Sequence, residues 1–127
     1  MKYRNILHVD DDEDDCFLFS EALKEISDTK CLSINSPVEA LRQLESYDHD
    51  HDLIILDINM PVLTGFELLE AIKKNKKLNT IPVIMFSTSD LEDYRTRAME
   101  LGAIGYYVKP MSFPALLKTI KEIFGVS

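Results

Sequence analysis

Residues 53–61 read LIILDINMP. The first four form an apolar run of strand length, and an aspartate, Asp57, follows directly. The chain contains further apolar runs of similar length at residues 6–9, 31–34, 83–86 and 104–108. Their nearly continuous apolar character is typical of strands that are covered on both faces, as in a parallel sheet. The spacing between them leaves room for a crossover helix each time. The pattern therefore predicts an α/β fold with a doubly wound, five-stranded parallel sheet.

Helices between these strands are indicated by start signals. Residues 36–39, 64–67 and 89–92 each have the S/T-x-x-E form of a capping box, and we expect a helix to begin at each of them. Ser112 is expected to cap the last helix, whose apolar stripe ends at Phe124. Because no linker or composition shift divides these elements, residues 1–127 are expected to form one domain.

The charge balance disfavours some classes of partner. The 127 residues include 14 Lys and Arg against 22 Asp and Glu, a formal charge of -8, which argues against nucleic acid and anionic membranes. No apolar run approaches the roughly 18 residues that a membrane span needs, and the N-terminal segment lacks the apolar core of a signal peptide. Cys16 and Cys31 have no CxxC spacing, which suits a reducing compartment. We therefore expect a cytoplasmic protein.

Polar residues follow four of the five predicted strands: Asp10 and Asp11, Asp57, Ser87, and Lys109. In open parallel sheets, ligands bind beyond the carboxyl ends of the strands. Carboxylates brought together there repel by about 1 kcal/mol per pair at 4 Å in water, and by about 4 kcal/mol at an effective dielectric near 20. One lysine is too little for three carboxylates, and Mg²⁺ prefers such oxygen ligands. With a hydroxyl and an ammonium beside it, Asp57 is expected to be the nucleophile of a phosphoryl site.

Several motifs together resemble the receiver domain of two-component response regulators. They are VDD at residues 9–11, LDINMP at residues 56–61, Ser87 after PVIMF, and YYVKP at residues 106–110. The resemblance covers essentially the whole chain. It implies the flavodoxin-like strand order 2-1-3-4-5 and a phosphoryl group transferred to Asp57 from a sensor histidine kinase or a histidine phosphotransfer protein. It also implies a signalling domain with a downstream protein target rather than a turnover enzyme.

The resemblance implies a role for individual residues around the magnesium ion. Asp11 and Asp57 would bind Mg²⁺ directly, Asp10 would act through metal-bound water, and the backbone carbonyl of Asn59 would complete the protein ligands.

The resemblance also implies phosphoryl contacts and a switch. Ser87 and Lys109 would contact phosphoryl oxygens, and the Lys109–Pro110 peptide bond would be cis. Tyr106 would turn inward when the Ser87 hydroxyl moves toward the phosphate, which changes the face formed by the fourth helix, fifth strand and fifth helix. A core or interface role for Tyr106 is the alternative.

Two other functions are compatible with parts of this pattern. A Mg²⁺-dependent phosphatase with the pattern D-x-D-x-T is disfavoured, because Asn59 stands where the second Asp should be and Pro61 where the Thr should be. A binding module that never accepts phosphate is the second alternative. Since no output domain follows the last helix, we expect a stand-alone regulator, and a homodimer formed on phosphorylation is compatible with it. Residues 12–15 and 48–52 are expected to be solvated acidic segments, and His8 is expected to be packed in the core.

Overall fold

Strands and helices alternate along the described residues, 3–46 and 50–125, of the computed structural model. The strands are β1 (Asn5–Val9), β2 (Lys30–Ile34), β3 (Leu53–Leu56), β4 (Val83–Ser87) and β5 (Gly105–Val108). The helices are α1 (Glu13–Ile26), α2 (Pro37–Ser46), α3 (Gly65–Lys74), α4 (Glu92–Glu100) and α5 (Phe113–Phe124). All four strand pairings are parallel, in the order β2-β1-β3-β4-β5. The predicted fold class and strand order are confirmed.

Apolar side chains of the central strands pack on both faces of the sheet. In β3, Ile54 and Leu56 belong to one buried cluster, whereas Leu53 and Ile55 belong to another. Because successive side chains of a strand point to opposite faces, the two clusters lie on opposite faces of the sheet. The first cluster includes side chains of α2, α3 and α4, and the second includes side chains of α1 and α5. This double burial explains the nearly continuous apolar sequence of the central strands β3 and β4.

The capping residues set the start of three helices as predicted. The Thr64 side chain accepts from the N–H of Glu67, whose carboxylate accepts from the Thr64 N–H, so both halves of the capping box form. Ser36 accepts from the Glu39 N–H at 3.2 Å, and Ser112 accepts from the Ala115 N–H at 3.2 Å. Each bond satisfies an N–H that the first helical turn leaves unpaired.

The prediction of a helix start at Ser89 is wrong. Helix α4 begins at Glu92, and Leu91 precedes it without a side-chain cap. The Ser89 hydroxyl instead accepts from the N–H of Leu91 at 3.2 Å, and the Ser89 carbonyl accepts from the Tyr106 hydroxyl. These two bonds hold Ser89 in the loop between β4 and α4, where it cannot act as a helix cap.

Two predictions about polar residues outside the strand ends have different outcomes. His8 is buried as predicted, with its ring stacked on Phe19 at a centroid distance of 4.4 Å. In the acidic segment 48–52, residues 48 and 49 lie outside the described residues. Asp52 is more than a solvated charge, because its carboxylate accepts from the N–H groups of Arg4 and Asn5 at 2.8 and 3.0 Å. It thereby holds the start of β1.

None of the helices in the described parts of the chain is long and apolar enough to cross a membrane.

Candidate functional site

Two buried carboxylates stand at the carboxyl end of the sheet. Asp10 follows β1 and is 1% exposed, and Asp57 follows β3 and is 6% exposed. The sheet hydrogen bonds continue past the strands, since the Asp57 N–H donates to the carbonyl of Val9 at 2.9 Å and the Asp10 N–H to that of Ile34 at 3.2 Å. The backbone of both aspartates is therefore fixed by the same ladder that builds the sheet.

A third carboxylate completes an acidic cluster. Asp11 is exposed, and carboxylate oxygens of Asp10, Asp11 and Asp57 lie within 4.8 Å of one another. At that separation three negative charges repel strongly, the more so because two of them are buried. An all-oxygen donor set of this kind suits a hard divalent cation such as Mg²⁺. The fold thus brings together Asp10, Asp11 and Asp57, three of the four residues predicted to bind a metal.

Lys109 supplies positive charge at this edge. Its side chain is 13% exposed, and its ammonium lies 2.6 Å from Asp10 Oδ2, 2.9 Å from Asp15 Oδ2 and 3.4 Å from Asp57 Oδ1. The Lys109 N–H donates to the carbonyl of Ser87 at 2.7 Å, which anchors the lysine to the end of β4. One ammonium is therefore shared among three carboxylates.

The sharing of charge is visible in the pKa values. Burial raises the pKa of Asp57 to about 6, although the positive charge of Lys109 opposes the rise. Burial likewise raises the pKa of Asp10. Burial alone would lower the pKa of Lys109, but its hydrogen bonds to Asp10 and Asp15 outweigh that effect and raise it. The lysine therefore does not offset the effect of burial on the pKa values of these two carboxyls.

Ser87 is fully buried as the last residue of β4. Leu56 pairs with Met85 in the β3–β4 register, so Asp57, one residue beyond Leu56, and Ser87, two residues beyond Met85, reach the same edge of the sheet. The Ser87 hydroxyl oxygen accepts from the N–H of Ser89 at 3.2 Å. The predicted hydroxyl group is at the edge where the carboxylates lie, and it is engaged with the loop that follows.

The loop after β3 contains Asn59, which is exposed and lies two residues beyond Asp57. The same loop returns to the site at Gly65, whose N–H donates to the carbonyl of Ile58 at 2.8 Å. A Cβ atom on Gly65 would lie 2.1 Å from the carbonyl oxygen of Asp57, closer than any contact allows. Gly65 was not among the predicted site residues. The only signal was its position at the first turn of a capped helix.

Tyr106 is buried and its hydroxyl donates to the carbonyl of Ser89 at 2.7 Å. The guanidinium of Arg95 lies 4.9 Å from the Tyr106 ring centroid and donates to the Tyr106 carbonyl at 3.2 Å. The ring is thus in an inward position, where it packs in the core and also bonds the loop between β4 and α4. The core role and the loop contact occur together.

Two expectations about this region are wrong. Among the described residues no peptide bond is cis, so the Lys109–Pro110 bond is trans, the isomer that X-Pro bonds favour by about 0.5 to 1 kcal/mol. Asp15 was assigned to a solvated helix start, but its carboxylate pairs with Lys109. The signal was the four-residue spacing between Asp15 and Phe19, since residues four apart share a helix face and Phe19 is core.

The fold and the site together define a doubly wound α/β domain with an acidic cluster, suited to a divalent cation, at its strand ends. The chain belongs to the response regulator receiver domain family, which matches residues 6–121. It is therefore a receiver domain of two-component signalling.

Individual relatives cover nearly the whole chain. The two-component response regulator ORR8 of Oryza sativa is 32% identical over 123 residues, which are 97% of this chain and 100% of ORR8. The phosphorylated cyanobacterial phytochrome response regulator RcpA superposes with a TM-score of 0.86 at 30% identity, covering 95% of this chain and 91% of RcpA. The Mn²⁺-bound response regulator Rcp1 gives a TM-score of 0.84 at 31% identity, covering 94% and 91%.

Proposed function

We propose that this chain acts as a stand-alone response regulator that accepts a phosphoryl group on Asp57 in a Mg²⁺-dependent reaction. The observation that carries the proposal is the position of Asp57, buried at a strand end beside Asp10 and Asp11 and 3.4 Å from the Lys109 ammonium. The similarity to RcpA, which has been seen phosphorylated, and to Rcp1, which has been seen with Mn²⁺, supports both parts of the proposal.

The two oxygens of Asp57 have different surroundings. Oδ1 accepts from the N–H of Ile58 at 2.9 Å and is the oxygen nearest to Lys109. We therefore assign the attack to Oδ2. Its lone pair forms the new bond to phosphorus, the bond from phosphorus to the donor imidazole nitrogen breaks, and the electron pair of that bond stays on the imidazole. The product is an acyl phosphate on Asp57.

The neighbouring residues bind and orient the reacting groups. Asp11, Asp57 and the backbone carbonyl of Asn59 would hold Mg²⁺, with Asp10 contacting it through water. When bound, the cation neutralises the charges of the nucleophile and of the incoming phosphoryl group. Lys109 would donate a hydrogen bond to one phosphoryl oxygen, and the Ser87 hydroxyl would donate a hydrogen bond to another.

A change in the hydrogen-bond partner of the Ser87 hydroxyl provides a structural route from the site to the protein surface. Ser89 connects the two ends of this route, because its N–H donates to the Ser87 hydroxyl and its carbonyl accepts from Tyr106. If Ser87 turns toward a phosphoryl group, the first bond is lost and the position of the second must adjust. We propose that this movement alters the face formed by α4, β5 and α5, with Tyr106 as the reporting residue.

The proposed partners follow from this chemistry. A sensor histidine kinase or a histidine phosphotransfer protein donates the phosphoryl group in the cytoplasm, and a downstream protein, or a second copy of the chain, binds the altered face. The formal charge of -8 disfavours nucleic acid as the target.

Radiolabelling with acetyl phosphate tests the proposal. We expect the parent to become labelled with Mg²⁺ and not with excess EDTA, and Asp57→Asn to remain unlabelled. Asp14→Asn, which makes the same charge change at an exposed residue of α1, should be labelled like the parent. The proposal fails if Asp57→Asn is labelled as well as the parent, or if the parent takes label from neither acetyl phosphate nor a phosphohistidine donor.

A further inference from the structure

We propose that Asp15 is a positioning residue that holds the Lys109 ammonium on the α1 side of the site, in competition with Asp57 and with a phosphoryl group on Asp57. The part of this inference that concerns the phosphoryl group rests on the proposed function. The part that concerns the position of Lys109 rests on the contacts alone.

The contacts of the ammonium are unequal. Lys109 donates hydrogen bonds to Asp10 at 2.6 Å and to Asp15 at 2.9 Å. Its distance of 3.4 Å to Asp57 Oδ1 is beyond the usual 2.7 to 3.2 Å of an N–H···O hydrogen bond. The ammonium is therefore bound to two carboxylates and only approaches the third, which is the proposed nucleophile.

A pocket lies beside the ion pair that Asp15 forms with Lys109. This pocket has a volume of about 130 Å³ and lies between α1 and the start of α5. Asp10, Asp15 and Lys109 line it together with apolar side chains, whereas Asp57 does not. The bond to Asp15 thus holds the ammonium beside the pocket and 3.4 Å from Asp57 Oδ1, and the pocket leaves room for the lysine to move.

The backbone at Asp15 is fixed by a helix cap. Asp12 caps α1 by accepting from the N–H groups of Asp14 and Asp15, which fixes the first turn of the helix. The side chain of Asp15 is 38% exposed, and Lys109 is 13% exposed. The pair is partly desolvated at the lysine, so it is stronger than a fully solvated ion pair on the surface.

A phosphoryl group on Asp57 would need the same ammonium. Lys109 must then loosen or share its bond with Asp15, and Asp15 therefore opposes the phosphorylated state. Removing the charge of Asp15 is expected to strengthen binding on the Asp57 side by about fivefold, the factor that corresponds to a partly exposed ion pair.

Titration with beryllofluoride, a stable mimic of the acyl phosphate, measures this effect in the presence of saturating Mg²⁺. From amide NMR shifts, we expect Asp15→Asn to bind beryllofluoride about fivefold more tightly than the parent. Asp14→Asn, with the same loss of charge in the same helical turn, should match the parent. Asp15→Glu keeps the carboxylate and should return the affinity to within about twofold of the parent.

The position of Lys109 gives a second measurement that does not depend on phosphoryl chemistry. In metal-free crystals of Asp15→Asn, we expect Lys109 Nζ to move within about 3.0 Å of Asp57 Oδ1. An unchanged distance would overturn the inference, as would an affinity that is equal to or weaker than that of the parent, or that is equally tightened by Asp14→Asn. If the parent binds no beryllofluoride, the proposed function fails, and the crystallographic distance alone decides the role of Asp15.

Discussion

Replacement of Asp57 by asparagine is expected to stabilise the fold at pH 8 when divalent cations are absent. The folded chain raises the pKa of this carboxyl from 3.8 to about 6, mainly because the group is buried. The folded state therefore holds the proton more tightly than the unfolded state, and the free energy of unfolding falls as pH rises from about 4 to about 6. Above pH 6 the full destabilisation remains, and asparagine removes it.

The size of the effect follows from the pKa change. A rise from 3.8 to about 6 corresponds to about 3 kcal/mol of destabilisation. The acidic cluster opens to solvent at Asp11, and screening there reduces the effect to about 1 to 1.5 kcal/mol. Asparagine has a side-chain oxygen that can still accept from the Ile58 N–H. Lys109 loses only its longest contact and keeps its bonds to Asp10 and Asp15.

Urea unfolding followed by circular dichroism, in EDTA, measures the difference. At pH 8 we expect Asp57→Asn to exceed the parent by about 1 to 1.5 kcal/mol, or roughly 3 to 6 °C in melting temperature. The difference should shrink toward zero as the pH is lowered from 6 to 4. Asp14→Asn controls for net charge and should stay within about 0.5 kcal/mol of the parent at both pH values.

Magnesium should reverse this order. A parent in Mg²⁺ at 100 times its dissociation constant gains about 2.7 kcal/mol, whereas Asp57→Asn lacks one of the proposed ligands and should gain less. Two results would refute the idea that burial of the Asp57 charge destabilises the fold. One is an Asp57→Asn variant that is no more stable than the parent at pH 8 in EDTA. The other is a stability difference that is the same at pH 4.5 as at pH 8.

Three further changes test the loops of the site. Val62 is 90% exposed with φ of 71°, a left-handed backbone that is strained for a β-branched residue. Val62→Asn should therefore raise the free energy of unfolding by about 1 kcal/mol in urea melts. A lower free energy of unfolding would contradict the strain. Gly65→Ala places a Cβ against the Asp57 carbonyl, so we expect the free energy of unfolding to fall by several kcal/mol and labelling by acetyl phosphate to be lost. Labelling at the parent rate would show that the loop shifts to accommodate the added methyl group. Tyr106→Phe removes the hydrogen bond to the Ser89 carbonyl, so we expect a loss of about 1 kcal/mol in the free energy of unfolding and amide shifts in the loop before α4. Unchanged amide signals in that loop would show that Tyr106 and the loop are not coupled.

The fold could be predicted almost completely from the sequence, because buried parallel strands leave a strong local signal. Each strand is a short apolar run, and each central strand is covered on both faces, so its composition reflects its place in the sheet. The helix start at Thr64 was equally local, since the cap and its partner are three residues apart. The start of α4 was not, because Ser89 has the same spacing but bonds Tyr106, seventeen residues away, and that contact overrides the local pattern.

The candidate site was predictable where its residues follow strands and not where they come from a helix. Asp10, Asp57 and Lys109 are placed by the ends of β1, β3 and β5, so topology alone brings them together. Asp15 stands on a helix, and its reach to Lys109 depends on how α1 is rotated against α5. The sequence gives that rotation only indirectly, through the buried position of Phe19 one turn later.

Under the proposed function, the charges at this edge would couple the cation to the phosphoryl group. Lys109 is the one ammonium that bonds Asp10 and Asp15 in the described chain, and it also faces Asp57. Adding a phosphoryl group there brings further negative charge to a cluster whose buried carboxyls already have raised pKa values. A divalent cation lowers that repulsion before the new charge arrives, whereas Asp15 increases the demand on the lysine. Labelling should therefore require a lower Mg²⁺ concentration in Asp15→Asn than in the parent, and a higher one would mean that Asp15 aids the reaction instead of restraining it.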